Sequence, residues 1–507
     1  MATTPRLRYN ILANFGGRGW AAVVQLAAVP MYLKLLGAEG FALVGAYLSL
    51  VALLGLLDLG LGTTLNREFA RRRDGGAVEA ATMHRVLVLL ERAYWATATA
   101  LGIALWLVLP YAGGSWLGTS YGENHSLFIA FSWMGMALAS QFPLALYLGG
   151  FLGLERQVEL NVWLGAFSTL RAASATAALA FIEPTLPVFF ACVTAANLLQ
   201  CLTMALRLRV HLPRRGSATP LPLPWRAIAR FSGGVSATLV IGALLTQVDR
   251  FVLGALASLS TFGAYALAWS AASALLMLVS PISAAVFPRL SKAYAAGSTS
   301  ELTTFYRLAS QMIAVAVAPC ALALAFFPER ILLAWSGAPE ISAEGSVPLA
   351  LLAIGTLLNA MMQLPYLLQL AAGWTSLSLK LNLTAVCVIP PLVTMLAASH
   401  GAAGAATGWV TLNLFYLTFG VPLMHRRLLH GMAVRWILVD TLLPALAAGI
   451  VIGGIATIDW AHTLSPLRTM MLVGLSILLG TAAALLAAPM VRSAALELFS
   501  KIRTANT

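Results

Sequence analysis

Three arginines stand inside long apolar stretches: Arg18 in residues 11–33, Arg171 in 162–182 and Arg250 in 232–257. A guanidinium facing lipid costs at least ~2.5–3.5 kcal/mol on insertion scales, so three would cost roughly 8–10 kcal/mol, as much as a whole domain's stability. They must therefore face protein or a water-filled cavity. The chemistry such a group does well there is bidentate binding of phosphate or carboxylate. Helical spacing gathers polar partners around two of them. Asn10, Asn14, Arg18 and Gln25 fall within ~80° at ~100° per residue, and Ser232, Ser236, Gln247 and Arg250 within ~60°. These two stripes are expected to face each other across a cavity, making Asn14, Arg18, Gln25, Arg171, Gln247 and Arg250 the candidate substrate-binding residues. The competing reading is structural, with the arginines paired to Asp58 or Asp249 or capping backbone carbonyls. Asp58 and Asp249 are accordingly candidates for ion coupling or for structural pairing.

Nothing else suggests catalysis. The seven histidines fall in or beside loops, and no Walker loop or Ser/His/Asp arrangement is present. Cys192, Cys201, Cys320 and Cys387 lie inside apolar stretches without metal-ligand spacing, and read as small core residues. The expectation is a non-enzyme with no cofactor and no metal.

These residues are positioned by membrane helices. The 507-residue chain is 60% hydrophobic and only 10% charged, with a mean hydropathy of +0.85. Soluble domains carry about 25% charged residues, so this composition could not cover a soluble surface. Fourteen stretches are long enough to cross a hydrocarbon core of roughly 30 Å. They are 11–33, 40–63, 93–111, 126–150, 162–182, 187–206, 232–257, 262–287, 308–327, 347–370, 382–398, 404–424, 437–457 and 467–489. The weakest is 382–398, which contains Pro390 and Pro391. The first carries Arg18, is long enough to span and is expected to be a retained helix.

Charge sets the orientation. Of 31 Lys and Arg residues, 25 fall in alternate segments, including Arg67, Arg71, Arg72 and Arg73, Arg207 and Arg209, and Arg307. The opposite loops hold Lys34, Arg330 and Arg468. Basic loops stay cytoplasmic, so both termini are expected there, and the arginines between 67 and 92 read as headgroup and topology anchors. The net charge of +13 needs no nucleic acid. The opposite loops are short, the longest being about 328–346, an acidic loop.

The chain repeats itself. Phe41 and Phe262 open similar motifs 221 residues apart. Gln141 matches Gln363 at 222, Asn161 matches Asn382 at 221, and Arg67 matches Arg289 at 222. Six helices per copy make the repeats parallel. The expected fold is all-α and polytopic, with two parallel six-helix lobes around a central cavity. The expected division is an N-terminal lobe at 1–210, a Pro-rich linker at 211–231, a C-terminal lobe at 232–430, and two further helices with a tail at 431–507.

The stretch from Tyr32 through Gly37 to Phe41, then Leu57-Asp58-Leu59-Gly60, then Arg67, resembles the opening of Wzx-type polysaccharide flippases. Asp249-Arg250 followed by Phe262-Gly263-Ala264-Tyr265, and His400-Gly401 with Asn413, extend the likeness over nearly the whole chain. That family belongs to the multidrug/oligosaccharidyl-lipid/polysaccharide exporter superfamily. The resemblance implies two lobes, alternating access and an inner-membrane flippase for an undecaprenyl-pyrophosphate-linked oligosaccharide repeat unit. Coupling to H+ or Na+, and contact with membrane lipids and polysaccharide polymerase machinery, go with that expectation. Three alternatives stay open. One is a lipid II flippase. A drug/cation antiporter is disfavoured because its cavity should be acidic. A membrane polymerase or ligase would need a large outer loop.

Overall fold

In a computed structural model, residues 5–55, 61–72, 75–116, 125–213, 241–242, 244–458, 465–494 and 496–497 are described, without the side chains of 5–15, 18, 22, 61, 63, 113–116 and 125. Every regular element among them is a helix. Eleven helices are long and apolar enough to cross a membrane, and the chain is a polytopic, membrane-embedded all-α protein.

Helix α1 (Pro5–Leu54) would be about 75 Å long if straight, more than twice a hydrocarbon core. It is two arms. At Gly37 the backbone takes φ 73°, ψ −179°, a conformation that a residue without a Cβ adopts at least cost. Tyr32 and Tyr47, on either side of that break, pack on the neighbouring rings of Phe189 and Phe190 at 5.0 and 5.6 Å between centroids. In a continuous helix those tyrosines would be about 22 Å apart, so the chain has turned back.

The described part of the first half continues with α2 (Leu61–Arg72), α3 (Ala77–Trp116), α4 (His125–Gln141), α5 (Leu144–Gly153), α6 (Gln157–Phe181) and α7 (Leu186–His211). Then α8 (Val248–Leu256), α9 (Leu259–Ser273), α10 (Leu276–Ala295) and α11 (Thr299–Phe326) follow. The expected acidic loop at 328–346 is instead folded into α12 (Pro328–Ser336) and the first turns of α13 (Pro339–Ala371), each opened by a proline whose missing N–H costs nothing at a helix start.

Helix α14 (Ser376–Phe415) carries Pro390 and Pro391 without a break there; membrane helices tolerate proline when surrounding groups re-satisfy the freed carbonyls. Its break is at Gly401 (φ 57°, ψ −135°). A Cβ on Gly404 would lie 1.9 Å from the Leu396 carbonyl oxygen, and one on Gly408 would lie 2.2 Å from Val393. Those pairs straddle Gly401 almost symmetrically, so α14 is also a hairpin. The chain runs on through a π segment Tyr416–Gly420, α15 (Val421–Leu428), a second π segment Trp436–Leu442, α16 (Leu443–Ala456) and α17 (Pro466–Ala487). Counting each hairpin twice, the eleven long helices among the described residues offer thirteen candidate crossings. The expected span 232–257 lies partly outside the described residues.

The chain forms two compact units, one of Met1–Arg250 with Gly254–Leu259 and one of Phe251–Leu253 with Ser260–Thr507. From residue 214 on, the expected linker 211–231 lies outside the described residues. Elements recur at or near the spacing of the sequence motifs: α3 begins at Ala77 and α11 at Thr299, 222 residues apart, and α6 at Gln157 and α14 at Ser376, 219 apart. The turns before α6 and α14 close with the same three bonds. Leu154, Glu155 and Arg156 donate their N–H groups to Gly150, Leu152 and Phe151. Ala372, Gly373 and Trp374 donate to Leu368, Leu370 and Gln369. The left-handed residue is Gly373 (φ 67°) in one turn and Glu155 (φ 55°) in the other. Each unit has its own apolar core, around Phe69, Leu87, Tyr94, Phe151 and Met204 in the first and Leu290, Tyr306, Ile313, Leu364 and Trp436 in the second.

Candidate functional site

In the first unit, α6 and α7 present polar groups to each other near the middle of two helices long and apolar enough to span a membrane. Arg171, half-buried near the centre of α6, donates from Nη2 to Gln200 Oε1 on α7 at 2.7 Å. Asn197 is three residues before Gln200 and four before Cys201, spacings that place it beside each of them on the α7 surface. Asn197 Nδ2 donates to the Ala137 carbonyl at 3.0 Å and to Ser140 Oγ at 3.3 Å, and Cys201 Sγ to the Ser140 carbonyl at 3.5 Å. Tyr47, on the second arm of α1, donates to Gln141 Oε1 at 3.2 Å. The Arg171 charge acts on Tyr32, Tyr47 and Cys201.

No carboxylate among the described residues pairs with Arg171, and its Nε is buried without a hydrogen-bond partner. A guanidinium carries five N–H donors in a planar fork, so most of its binding capacity is unused. The nearby acids serve elsewhere. Glu159 accepts from Arg207 at 2.7 Å and contacts His211 at 2.5 Å, and Glu91 accepts from Arg209 at 2.6 Å, all at the far end of α7. Arg207 and Arg209, read from sequence as topology charges, are thus also ties between helices.

Arg250 is placed differently. It is 6% exposed on α8, donating from Nη1 to Gln247 Oε1 at 2.7 Å and to Ser49 Oγ at 3.2 Å. Gln247 and Asp249 are buried beside it. Arg250 is therefore held inside the first unit's packing rather than presented on an open wall. Gln25 is exposed on α1. The side chains of Asn10, Asn14 and Arg18, and all of Asp58, Ser232 and Ser236, lie outside the described residues. Gln141, Asn161 and Asn382 hydrogen-bond within the protein, Asn161 to the Gln157 carbonyl and Asn382 to the Tyr416 hydroxyl.

One expected anchor needs correction. Arg72 is buried and ion-paired to Glu68 one turn earlier, so it packs with protein rather than with headgroups. Arg307, expected in a basic cytoplasmic segment, forms an ion pair with the fully buried Asp440 of the second unit. Its Nε and Nη2 donate to Asp440 Oδ2 and Oδ1 at 2.8 and 3.1 Å. Asp440 is fully buried on the π segment and takes a third bond from Gln311 Nε2 at 2.6 Å. Gln311 Oε1 in turn accepts from the Met490 and Val491 amides. Trp436, in the same segment, donates to Ser310 Oγ at 2.8 Å and stacks on Tyr306. Asp440 was overlooked in the sequence, although a lone acid inside an apolar span signals an inward-facing partner. The second unit's own mid-helix polar contacts are neutral: Asn359 donates to Asn413 at 2.9 Å, and Trp409 to Thr356 at 3.2 Å.

Comparison with known proteins bears on the fold. A lipid II flippase, MurJ, in an inward closed conformation aligns with a TM-score of 0.69 at 12% identity, covering 94% of this chain and 98% of its own. An inward-facing multidrug resistance MATE family transporter of the MOP superfamily aligns at 0.60 and 18%, covering 80% and 94%. A MOP superfamily transporter from Pyrococcus furiosus, described by a reversed binding-pocket polarity, aligns at 0.55 and 17%, covering 83% and 95%. These TM-scores show a shared polytopic transporter fold. No curated protein sequence matches the chain. The MatE family model matches residues 235–396. The model described as polysaccharide biosynthesis protein matches residues 7–294, more than half the chain, and the protein belongs to that family.

Proposed function

We propose that this protein is a flippase that carries an undecaprenyl-pyrophosphate-linked oligosaccharide repeat unit from the cytoplasmic to the periplasmic leaflet of a bacterial inner membrane by alternating access. The observation that carries the reading is Arg171, a mid-membrane guanidinium whose hydrogen-bond partner is the neutral Gln200. A neutral bond returns only part of the ~2.5–3.5 kcal/mol insertion cost, whereas an entering pyrophosphate or acidic sugar completes the charge pair. Arg18 is the second proposed head-group ligand, with Asn14, Gln25, Gln247 and Arg250 around the route. The lobes are proposed at 1–210 and 232–430, joined by 211–231, with two further helices and a tail at 431–507 and both termini cytoplasmic. A potential negative inside favours outward movement of the anionic head by about 2.3 kcal/mol per charge per 100 mV. Counter-transport of H+ or Na+ would add to that drive. No chemistry on the substrate is needed, which fits the family's membership of transporters.

A lipid II flippase is the second reading, favoured by the likeness to MurJ over nearly both full lengths. Both cargoes offer a lipid pyrophosphate, so Arg171 serves either. An antiporter for cationic drugs fits less well, because the first unit's bonded acids, Glu68, Glu91 and Glu159, are held by basic partners.

The test is complementation of a strain deleted for the gene, read as surface polysaccharide and as accumulated lipid-linked sugar. Arg18→Ala and Arg171→Ala should each cut export at least tenfold at equal membrane expression, the loss expected from a charge-assisted bond of ~1.5–3 kcal/mol. Arg171→Lys should restore part of it, since lysine keeps the charge and loses the fork. Wild-type export from both alanine variants would overturn the reading. Accumulated lipid II in place of a glycan repeat unit would select the second one.

A further inference from the structure

The first unit carries a groove of 680 Å³ between α3, α4 and α7 that meets the polar cluster around Arg171 at one end, Ser140. Along α3 it is lined by Trp95, Thr99, Gly102 and Trp106, a succession of one-turn steps. Along α4 the lining runs from Phe128 through Ser132 and Met136 to Ser140. Either line is about 16–18 Å long at ~1.5 Å per residue, roughly half a ~30 Å hydrocarbon core. The groove thus runs along the helix axes for the depth of one leaflet.

Its polar side chains are turned away from it. Thr99, Ser132, Ser140 and Thr194 each donate to a carbonyl of their own helix, at Trp95, Phe128, Ala137 and Phe190. The Trp95 indole donates to Tyr147. Hydroxyls already spent on backbone offer nothing to a sugar or a phosphate, so the wall is apolar in effect as well as in composition. All three helices are membrane spans, and the occupant must be a hydrocarbon chain.

The relief of the wall suggests which kind. Small residues Ala98 and Gly102 recur one turn apart, and Gly102 comes so close to Ala139 that an added Cβ would sit 3.3 Å from it. The indoles of Trp95 and Trp106 flank these notches, one on each side. An isoprenoid chain carries methyl branches at a repeat on the order of the ~5.4 Å helical pitch, whereas an acyl chain is smooth. The inner end of the groove, at Ser140, touches the polar cluster through the Asn197–Ser140 bond, within one α7 turn of Gln200.

We propose that this groove holds the polyprenyl tail of the transported lipid while Arg171 engages its head. The proposal rests on the flippase reading for its cargo. With the termini cytoplasmic, the end at Trp106 and Phe128 lies in the outer half of the membrane, so the groove receives the tail as the head emerges.

The experiment uses the full-length protein in nanodiscs with a polyprenyl phosphate bearing a diazirine in its tail. Irradiation should label residues 95–106 and 128–140. Unlabelled polyprenyl phosphate should suppress labelling at least tenfold, and the same concentration of phosphatidylglycerol should not. Thr99→Phe and Met136→Trp, both filling the groove from exposed positions, should each reduce labelling at least tenfold with an unchanged melting temperature. Labelling elsewhere, equal competition by phosphatidylglycerol, or full labelling of both well-folded variants would overturn the proposal. Arg171→Ala separates the two ideas, because it should abolish glycan export while leaving tail labelling in place. Absent tail labelling alongside Arg171-dependent export would reject the groove and keep the flippase.

Discussion

Each unit holds a half-buried arginine between its helices, Arg171 in the first and Arg307 in the second, and the two are treated in opposite ways. Arg307 meets a fully buried carboxylate through two bonds, and that carboxylate takes a third bond from Gln311. Arg171 meets one neutral amide and leaves its Nε without a partner. A paired charge is a completed structure, and removing either partner exposes the other. An unpaired charge is a standing cost that something else must offset, and in a transporter that something is cargo. Buried charge therefore does not mark a functional site by itself; the partner's charge separates the clamp from the receptor.

This contrast is best broken at its strongest point. Asp440→Ala should destabilise the second unit by about 3–5 kcal/mol, because it strands Arg307 among apolar side chains. A melting curve of the purified protein checks this. The double change Arg307→Met with Asp440→Leu should recover most of that loss, since apolar replacement of a buried pair is often near neutral. If the single change melts like wild type, the clamp is not one.

Next in size is a substitution that converts the receptor into a clamp. Gln200→Glu gives Arg171 the carboxylate that Arg307 already has. Export should fall tenfold or more, and melting temperature should hold or rise. Export at wild-type level would mean that the neutral partner is incidental.

Neighbouring arginines on α2 offer a smaller contrast. Arg72→Ala should cost about 1–3 kcal/mol by stranding Glu68, while the exposed Arg71→Ala should stay within about 0.5 kcal/mol. Parallel melting curves suffice. Smallest of all, Glu155→Gly should gain no more than about 1 kcal/mol by relieving the left-handed position that its counterpart Gly373 occupies without a Cβ. A fall in melting temperature would show that the two turns are not equivalent.

Much of this fold is legible in the residues themselves. Apolar length marks spans, the 221–222-residue motif spacing reappears in the helix starts at Ala77 and Thr299, and Gly37 sits where the chain reverses. Arg171 is legible as a residue that must face inward. Its partner is not, because Gln200 is 29 residues away and the meeting depends on how α6 and α7 are rotated. Arg307 and Asp440 are 133 residues apart, and charge counting assigns Arg307 to the membrane surface. Periodicity reports which face of a helix is polar, not which other helix will lie against it. Arg72 shows the same limit within one helix, where burial and not spacing decides whether a surface-type residue is at the surface.

The hairpin at Gly401 bears on how the protein is made. Leu396 and Gly404 touch across the break, and Val393 and Gly408 touch further down, so only the short Ser399-His400-Gly401 corner separates the two arms. A ribosome delivering this stretch to the insertion machinery has only two hydrophilic side chains to hold at the surface between one arm and the next. The arms should leave the translocon together, as a preformed pair whose contacts exist before the rest of its unit is synthesised. A bulky residue at 404 would then act during biogenesis, in the yield of inserted protein, before it could act on any transport step.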